Sequence, residues 1–323
     1  MLKGRSTNMR RIFKTIEDHL TECTTLEKGV WVHLQSPTKE EVDGLTTRFN
    51  LDPTFLPAAL DEEESARIDY DSDKQQTLII VDIPYVDTEG TGYVYSTIPL
   101  GIVLCDEVII TVCTRDTPII NDFTEERIRN FWTFKRTRFI LQILQRNAGR
   151  FLSYLKQIDK TSQHIQEKLE HTSRNQELLQ MMKLEKSLVY FNTSLKGNAL
   201  VMERLMRQDI LKRYPEDTDL LEDVIIENKQ AMEMCSIYRD IMSNTTDAFA
   251  SIINNNLNAV MKVLTSVTIL MTIPTMVFSA YGMNLNLSGI PFSVSHDGFL
   301  IVILISLALS LVVALICSKK DLF

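Results

Sequence analysis

The spacing of hydrophobic residues changes along this chain, and the changes divide it. In the N-terminal part apolar residues come in short β-branched or alternating blocks, the period of half-buried strands. Residues 30–34 (VWVHL) read as a strand ended by Ser36-Pro37. Residues 38–49 read as a helix with Glu40 and Glu41 in its first turn, where acids suit the helix dipole. Residues 77–83 form a β-branched run expected to stop at Pro84, and residues 93–104 and 107–113 complete at least four strands. Residues 87–92 (DTEGTG) supply the turn between two of them. The expectation for residues 1–122 is a sheet flanked by helices.

From residue 123 the period becomes helical. Ile140, Leu144, Phe151, Leu155, Ile158, Ile165 and Leu169 keep to one stripe of a long helix or pair of helices. A polar break at residues 172–175 precedes a second helix running to residue 214, with Leu178, Met181, Leu188, Leu195, Met202 and Leu205 in register. Together they predict an antiparallel helical hairpin. Pro215 is expected to end it and Asp219 to cap a new helix, with Glu222 at capping-box spacing. No glycine follows before the apolar region, and no proline before Pro274, so this stalk helix can run on into that region. Leu220, Val224, Ala231, Met234, Tyr238, Ile241, Ala248 and Ile252 trace a near-heptad seam along it, for packing on its own hairpin or also on copies of itself.

Residues 259–280 and 299–317 are almost wholly apolar. Each is long enough, at ~1.5 Å per residue, to cross a hydrocarbon core of ~30 Å. Two spans make a hairpin with both chain ends on one side. The connecting residues 281–298 hold no Lys or Arg, whereas Lys319 and Lys320 follow the second span, so both termini are expected in the cytoplasm. Expected domains are therefore residues 1–122, 123–257 and 258–323. The first span is not uniformly apolar. Thr265, Thr268, Thr272, Thr275 and Ser279 recur at spacings of 3, 4, 3 and 4, one face of a helix, which extends back to Met261 or Lys262 and Asn258 and forward to Gly282 and Asn284. Such hydroxyls either bond back to their own helix carbonyls or line a wet cavity or packed seam. One hairpin cannot enclose a pore, so a pore needs several copies around an axis.

Composition narrows the chemistry. The net charge of −8 argues against nucleic acid as a partner. Five cysteines without a C-x-x-C pair fit a reducing compartment and ordinary packing. The basic start, residues 1–11, has no apolar stretch behind it, so the first span is expected to act as its own targeting signal. No phosphate-binding G-x-x-x-x-G-K-[ST], no H-E-x-x-H and no nucleophile elbow occurs, and no enzyme activity or organic cofactor is expected. The acid run Asp61, Glu62, Glu63, Glu64, followed by Asp69, Asp71 and Asp73, reads either as a solvated face or as a soft divalent-cation site.

Tyr281-Gly282-Met283-Asn284 stands between the two apolar runs. With a long N-terminal part, an Asn-rich approach (Asn254, Asn255, Asn256, Asn258), a span with an internal proline and a basic tail, it resembles the CorA-type magnesium transporters, most clearly over residues 219–320. The resemblance implies an α+β chain: a cytoplasmic α/β sandwich, a long helical stalk and two C-terminal transmembrane helices, assembled as a homopentameric funnel in the cell membrane. It implies passage of hydrated Mg2+, with Co2+ and Ni2+ as secondary ions, into the cytoplasm down the electrochemical gradient. Gly282, Met283 and Asn284 would form the selectivity filter, Met261 and Leu264 a hydrophobic gate, and Asn258, Thr265, Thr268, Thr272, Thr275 and Ser279 further pore lining. Lys319 and Lys320 would make a basic ring. Intracellular Mg2+ would close the pore at acidic sites between subunits, with Asp223 and Asp247 as stalk ligands. The partner acid departs from the family pattern, because Pro57 and Ala58 stand where it is expected; Asp61–Glu64 lies a turn later. The loop also has Asp297 as its single acid, which weakens capture at the mouth. The alternatives are a zinc or nickel transporter of the same fold, disfavoured by Met283, and a membrane-anchored scaffold without transport.

Overall fold

The computed structural model describes residues 9–89, 92–105, 108–171, 175–207, 214–283 and 297–319. They form two compact units, Met1–Thr246 and Asp247–Phe323.

The first unit is built on a seven-stranded sheet in the order β2-β1-β3-β7-β6-β5-β4. Its strands are β1 (Met9–Ile16), β2 (His19–Glu22), β3 (Val30–Gln35), β4 (Arg67–Asp71), β5 (Gln76–Glu89), β6 (Gly92–Leu104) and β7 (Val108–Cys113). The central pair β3–β7 is parallel, and every other pair is antiparallel. Strand alternation divides the side chains between two cores. Val30, Val32 and Leu34 of β3 join Ile110 and Val112 beneath α1 (Lys39–Arg48) and α2 (Phe55–Ala58). Trp31 points the other way, with Ile109 and Ile102, toward α3 (Pro118–Thr124), α4 (Arg136–His171), α5 (Asn175–Arg207) and the start of α6 (Pro215–Tyr281). The result is an α/β/α sandwich. Helix α1 begins where expected because Thr38 and Glu41 form a capping box: Glu41 N donates to Thr38 Oγ1 at 3.2 Å, and Thr38 N donates to Glu41 Oε2 at 2.9 Å.

Several boundaries differ from expectation. Strand β5 does not stop at Pro84 but pairs Pro84 with Thr97 and runs to Glu89. The pairing of β4 ends at Ile80, so Pro84 has a strand on one side only and interrupts no ladder on the other. Asp87 is accordingly a strand residue rather than part of the turn. Strands β1, β2 and β4 are additional; β2 and β4 are the edges of the sheet, and the polar sequences of all three carry little alternation. Helix α6 starts at Pro215, not Asp219. A proline at the first helical position needs no N–H, and Asp217 Oδ2 accepts from Tyr214 N at 3.4 Å, closing the first turn. The stripe α6 buries against this unit is Leu221, Val224, Asn228, Ala231, Cys235 and Met242, rotated from the expected seam, and it leaves Ile241 exposed. Asn228 Nδ2 and Cys235 Sγ donate to the α5 carbonyls of Leu195 and Leu188, at 3.1 and 3.2 Å.

The β5–β6 hairpin extends past its neighbouring strands, so its outer backbone groups need partners. Helix side chains supply them. Asp82 N donates to Asn198 Oδ1 at 2.9 Å, and Asp82 O accepts from Asn147 Nδ2 at 2.8 Å and Asn198 Nδ2 at 2.7 Å. Tyr95 N donates to Ser187 Oγ at 3.3 Å, and Ser194 Oγ donates to Thr97 Oγ1 at 2.8 Å. Ser187, Ser194 and Asn198 are buried polar residues of α5 for this reason.

The second unit contains the C-terminal part of α6 and the helix α7 (Gly298–Lys319). Both helices are long and apolar enough to cross a membrane. Pro274 lies within α6, and the helix continues through it to Tyr281.

Candidate functional site: the hydroxyl face of the C-terminal hairpin

Within the second unit α6 has two different faces. The more buried one consists of Ser266, Leu270, Ile273, Val277 and Tyr281, spaced 4, 3, 4 and 4 residues apart. On α7 the buried positions include Val302 and Ser306, at 6% and 3% exposure, while Ser266 of α6 is at 3%. Thr265, Thr268, Thr272, Thr275 and Ser279 are all exposed. At about 100° per residue their stripe lies on the far side of α6 from the buried face. Asn258, Met261 and Leu264 continue it and are exposed too. The sequence alone did not separate these faces, because the more buried residues are mostly apolar in a run where nearly everything is apolar.

The hydroxyls bond back along the helix. Thr268 Oγ1 donates to Leu264 O at 2.8 Å, Thr272 Oγ1 to Thr268 O at 2.7 Å and Thr275 Oγ1 to Met271 O at 2.9 Å. The two alternatives for this stripe are therefore compatible. Each of these hydroxyls uses its one proton inward and keeps acceptor lone pairs outward. Outward it can accept from a water proton. Gly282 closes the helix end, its N–H donating to Phe278 O at 2.9 Å, and Met283 beside it is exposed. Lys319 is exposed at the end of α7. Asn284 and Lys320 lie outside the described residues.

The acidic residues are dispersed. Arg67 pairs with Glu64 and, at 2.6 Å, with Asp69. Arg115 bridges Glu62 at 3.5 Å and Asp87 at 3.6 Å, while its guanidinium stands over the Tyr85 ring. Asp61 Oδ1 accepts from Glu63 N at 3.0 Å, a local turn, and Glu63 itself is exposed. Asp223 is exposed in the first unit, and Asp247 is exposed in the second. Among the described residues no three His, Cys, Asp or Glu side chains gather closely enough to hold a metal ion. One turn beyond Asp223, Glu227 is half-buried. Burial, then the nearby Asp223 charge, push its carboxyl above the usual range, with Arg146 opposing. Sequence reasoning did not single out Glu227; its spacing of four from Asp223 was the available signal.

An α/β sandwich, a long helix and two helices long and apolar enough to cross a membrane, one of them with an exposed hydroxyl face, define a mixed α/β protein with two candidate spans. The family model described as CorA-like Mg2+ transporter protein matches residues 27–319, and the chain belongs to that family. The cobalt/magnesium transport protein CorA of Methanocaldococcus jannaschii is 26% identical over 282 residues, 84% of each chain. The complete structure of the CorA magnesium transporter from that organism superposes with a TM-score of 0.77 at 22% identity, over 97% of each chain. The full-length CmaX protein superposes with a TM-score of 0.66 at 14% identity, over 93% of this chain and 95% of its own. At these identities the superpositions establish the fold: mixed α/β domain, helical stalk and two candidate spans.

Proposed function

We propose that this protein conducts hydrated divalent cations, Mg2+ first and Co2+ and Ni2+ secondarily, through a pore made by the hydroxyl faces of several α6 helices. The observation that carries this reading is the division of α6: Ser266, Leu270, Ile273 and Val277 make its more buried face, and the hydroxyl stripe on the far side is exposed, its protons bonded back along the helix. Lipid offers no proton to a stripe of lone pairs, whereas the water shell of a cation does. Mg2+ gives up its waters reluctantly, so a neutral acceptor wall suits passage with the shell in place.

A single hydroxyl face encloses nothing, and the reading therefore requires copies, five in the homopentameric arrangement. A second unclaimed stripe fits self-association: Ile226, Ile237 and Ile241 of α6 stand 64%, 55% and 56% exposed. In this arrangement residues 1–122 and the stalk, residues 123–257, are cytoplasmic, and residues 258–323 form the membrane hairpin with both termini inside. Gly282, Met283 and Asn284 form the outer filter, with Asn284 accepting from the ion's waters. Met261 and Leu264 close the pore by dewetting, and Lys319 and Lys320 sit at the inner membrane surface. Asp223, Asp247 and Asp61–Glu64 contribute to inhibitory cation sites between copies. At an inside-negative potential of 100 mV, entry of a divalent ion gains about 4.6 kcal/mol.

The test is Mg2+ flux into proteoliposomes at low and at high internal Mg2+. Flux that falls as internal Mg2+ rises is the expected result. Asn284→Ala is expected to abolish flux with the oligomer intact. A protein that passes no divalent ion at any internal Mg2+ refutes the proposal.

A further inference from the structure

Helix α5 is apolar on two opposite sides. Its inner side, Met181, Leu184, Leu188, Phe191 and Leu195, is buried. Its outer side carries Leu179, Met182, Val189, Tyr190 and Leu200, which are 42% to 63% exposed. A helix at a protein surface ordinarily turns a polar face outward. Between Leu179 and Leu200 the exposed charges are Lys183, Lys186 and Lys196, and no acid there is exposed. Helix α6 is two-sided in the same way. Leu221, Val224, Asn228, Ala231 and Cys235 are buried, while Ile226, Ile237 and Ile241 stand out on the far side, with exposed Glu233 and Asp240 against Lys229. Asp240 is held by its neighbour Arg239 at 3.0 Å. Among the described residues Lys186, Lys196 and Glu233 make no ion pair.

These two outer faces cannot meet within one copy. Asn228 Nδ2 and Cys235 Sγ bond the carbonyls of Leu195 and Leu188, so α5 and α6 lie antiparallel with their inner faces together and their outer faces averted. A contact between the outer faces therefore joins α5 of one copy to α6 of the next, head to tail, the kind of contact that closes a ring. The same two bonds fix heights. Counting along both helices from Leu188 and Cys235, Met182 stands level with Ile241 and Lys186 with Ile237. A rotation about an axis running along the helices keeps those levels. Ile237 of one copy then meets the hollow between Met182, Val189 and Tyr190 of the next. Glu233 lies one turn, about 6 Å, from the level of Lys186, within reach of that side chain. Both faces also repeat every eleven residues, from Leu179 to Tyr190, Val189 to Leu200 and Ile226 to Ile237, a spacing that stays nearly in phase along a straight helix.

We propose that the outer face of α5 docks on the isoleucine face of α6 in an adjacent copy of this chain, with Lys186 answering Glu233. The occupant is a second copy because both surfaces belong to this chain, oppose each other in charge, and match in level and repeat. The inference rests on the reading that several copies share an axis. It adds the second surface that reading needs, since one stripe pairing with itself makes a two-fold dimer and closes no larger ring. It does not depend on which ion passes.

The test uses the full chain in detergent. Native mass spectrometry of the parent protein gives the number of copies. Val189 is then replaced by a benzophenone amino acid, and its photo-cross-links are mapped by peptide mass spectrometry. Cross-links from position 189 to α6 near Ile237, in a two-copy band under denaturing conditions, are expected. Lys186→Glu and Glu233→Lys are each expected to raise the concentration at which half the oligomer dissociates by at least about fivefold, and the double variant to return toward the parent. Both positions are exposed, and far-ultraviolet circular dichroism equal to the parent's confirms that the variants fold. An intact oligomer whose position 189 cross-links to lipid, to another α5 or to no second copy overturns this contact and leaves the shared axis standing. So does a double variant no tighter than either single one. A parent protein that is monomeric at every concentration refutes the shared axis itself, and this contact with it.

Discussion

Thr268, Thr272 and Thr275 show how one atom's orientation decides what a residue can do. Valine has nearly the shape of threonine without the oxygen, so replacing all three by Val keeps the helix and removes the acceptor face. Divalent flux through the triple variant is expected to fall at least about tenfold with melting temperature nearly unchanged; undiminished flux would place the ion path elsewhere. Asp82 is a different case. Burial raises its carboxyl to about 6, partly offset by a hydrogen bond from Ser194. The folded state therefore holds this proton more tightly than the unfolded chain, where an aspartate carboxyl has its ordinary value of 3.8. The stability tied to that proton is complete below the unfolded value and is lost as pH rises through about 6. Thermal melts of Asp82→Asn against the parent should favour the variant increasingly from pH 4 to pH 7. Gly101 is needed for close approach, since a Cβ there would stand 2.2 Å from Ala59 Cβ. Gly101→Ala is expected to cost about 1–3 kcal/mol by denaturant unfolding, as overpacked cores do.

Elements in this protein are set by local signals wherever one partner suffices. The Thr38–Glu41 capping box starts α1, and β-branched runs with a buried face make β3 and β7. Proline needed more than local reading. Pro84 sits inside a strand because the neighbouring strand has already ended, and Pro215 begins a helix because its missing N–H costs nothing there. The rotated seam of α6 has the same origin: apolar residues lie on more than one side, and only packing within the first unit picks Leu221, Val224 and Ala231. Asn198 illustrates what the hairpin asks of α5. Asn198→Ala removes a partner from both the N–H and the C=O of Asp82, and an unfolding free energy lower by about 2 kcal/mol is expected. The exposed Ile237 and Ile241 stripe makes the opposite kind of prediction. Replacing both by Glu should leave the fold of the first unit intact and reduce the proposed oligomer to smaller species in native mass spectrometry.

At the level of the whole molecule, the change of hydrophobic period already separates a sheet-containing part, a long-helix part and two apolar helices, and membership of the CorA-like family agrees with that plan. The Tyr281–Asn284 stretch is legible in sequence as a motif, but Asn284 itself lies outside the described residues, so its role rests on the transport proposal. The hydroxyl periodicity was likewise plain in sequence; its direction was not, because a spacing does not say which face a second helix will cover or where a proton points. The acid run was readable as charge, yet Arg67 and Arg115, the second of them remote in sequence, determine how its carboxylates are held. Local chemistry by itself settled the element types, the two apolar lengths and the residues available for polar work, since propensity, period and capping act within a few residues. The folded chain alone decided which stripe of α6 is buried, how the hairpin edge is fastened and which face of α5 stays uncovered. Those outcomes follow from contacts between segments far apart in sequence, which no local pattern specifies.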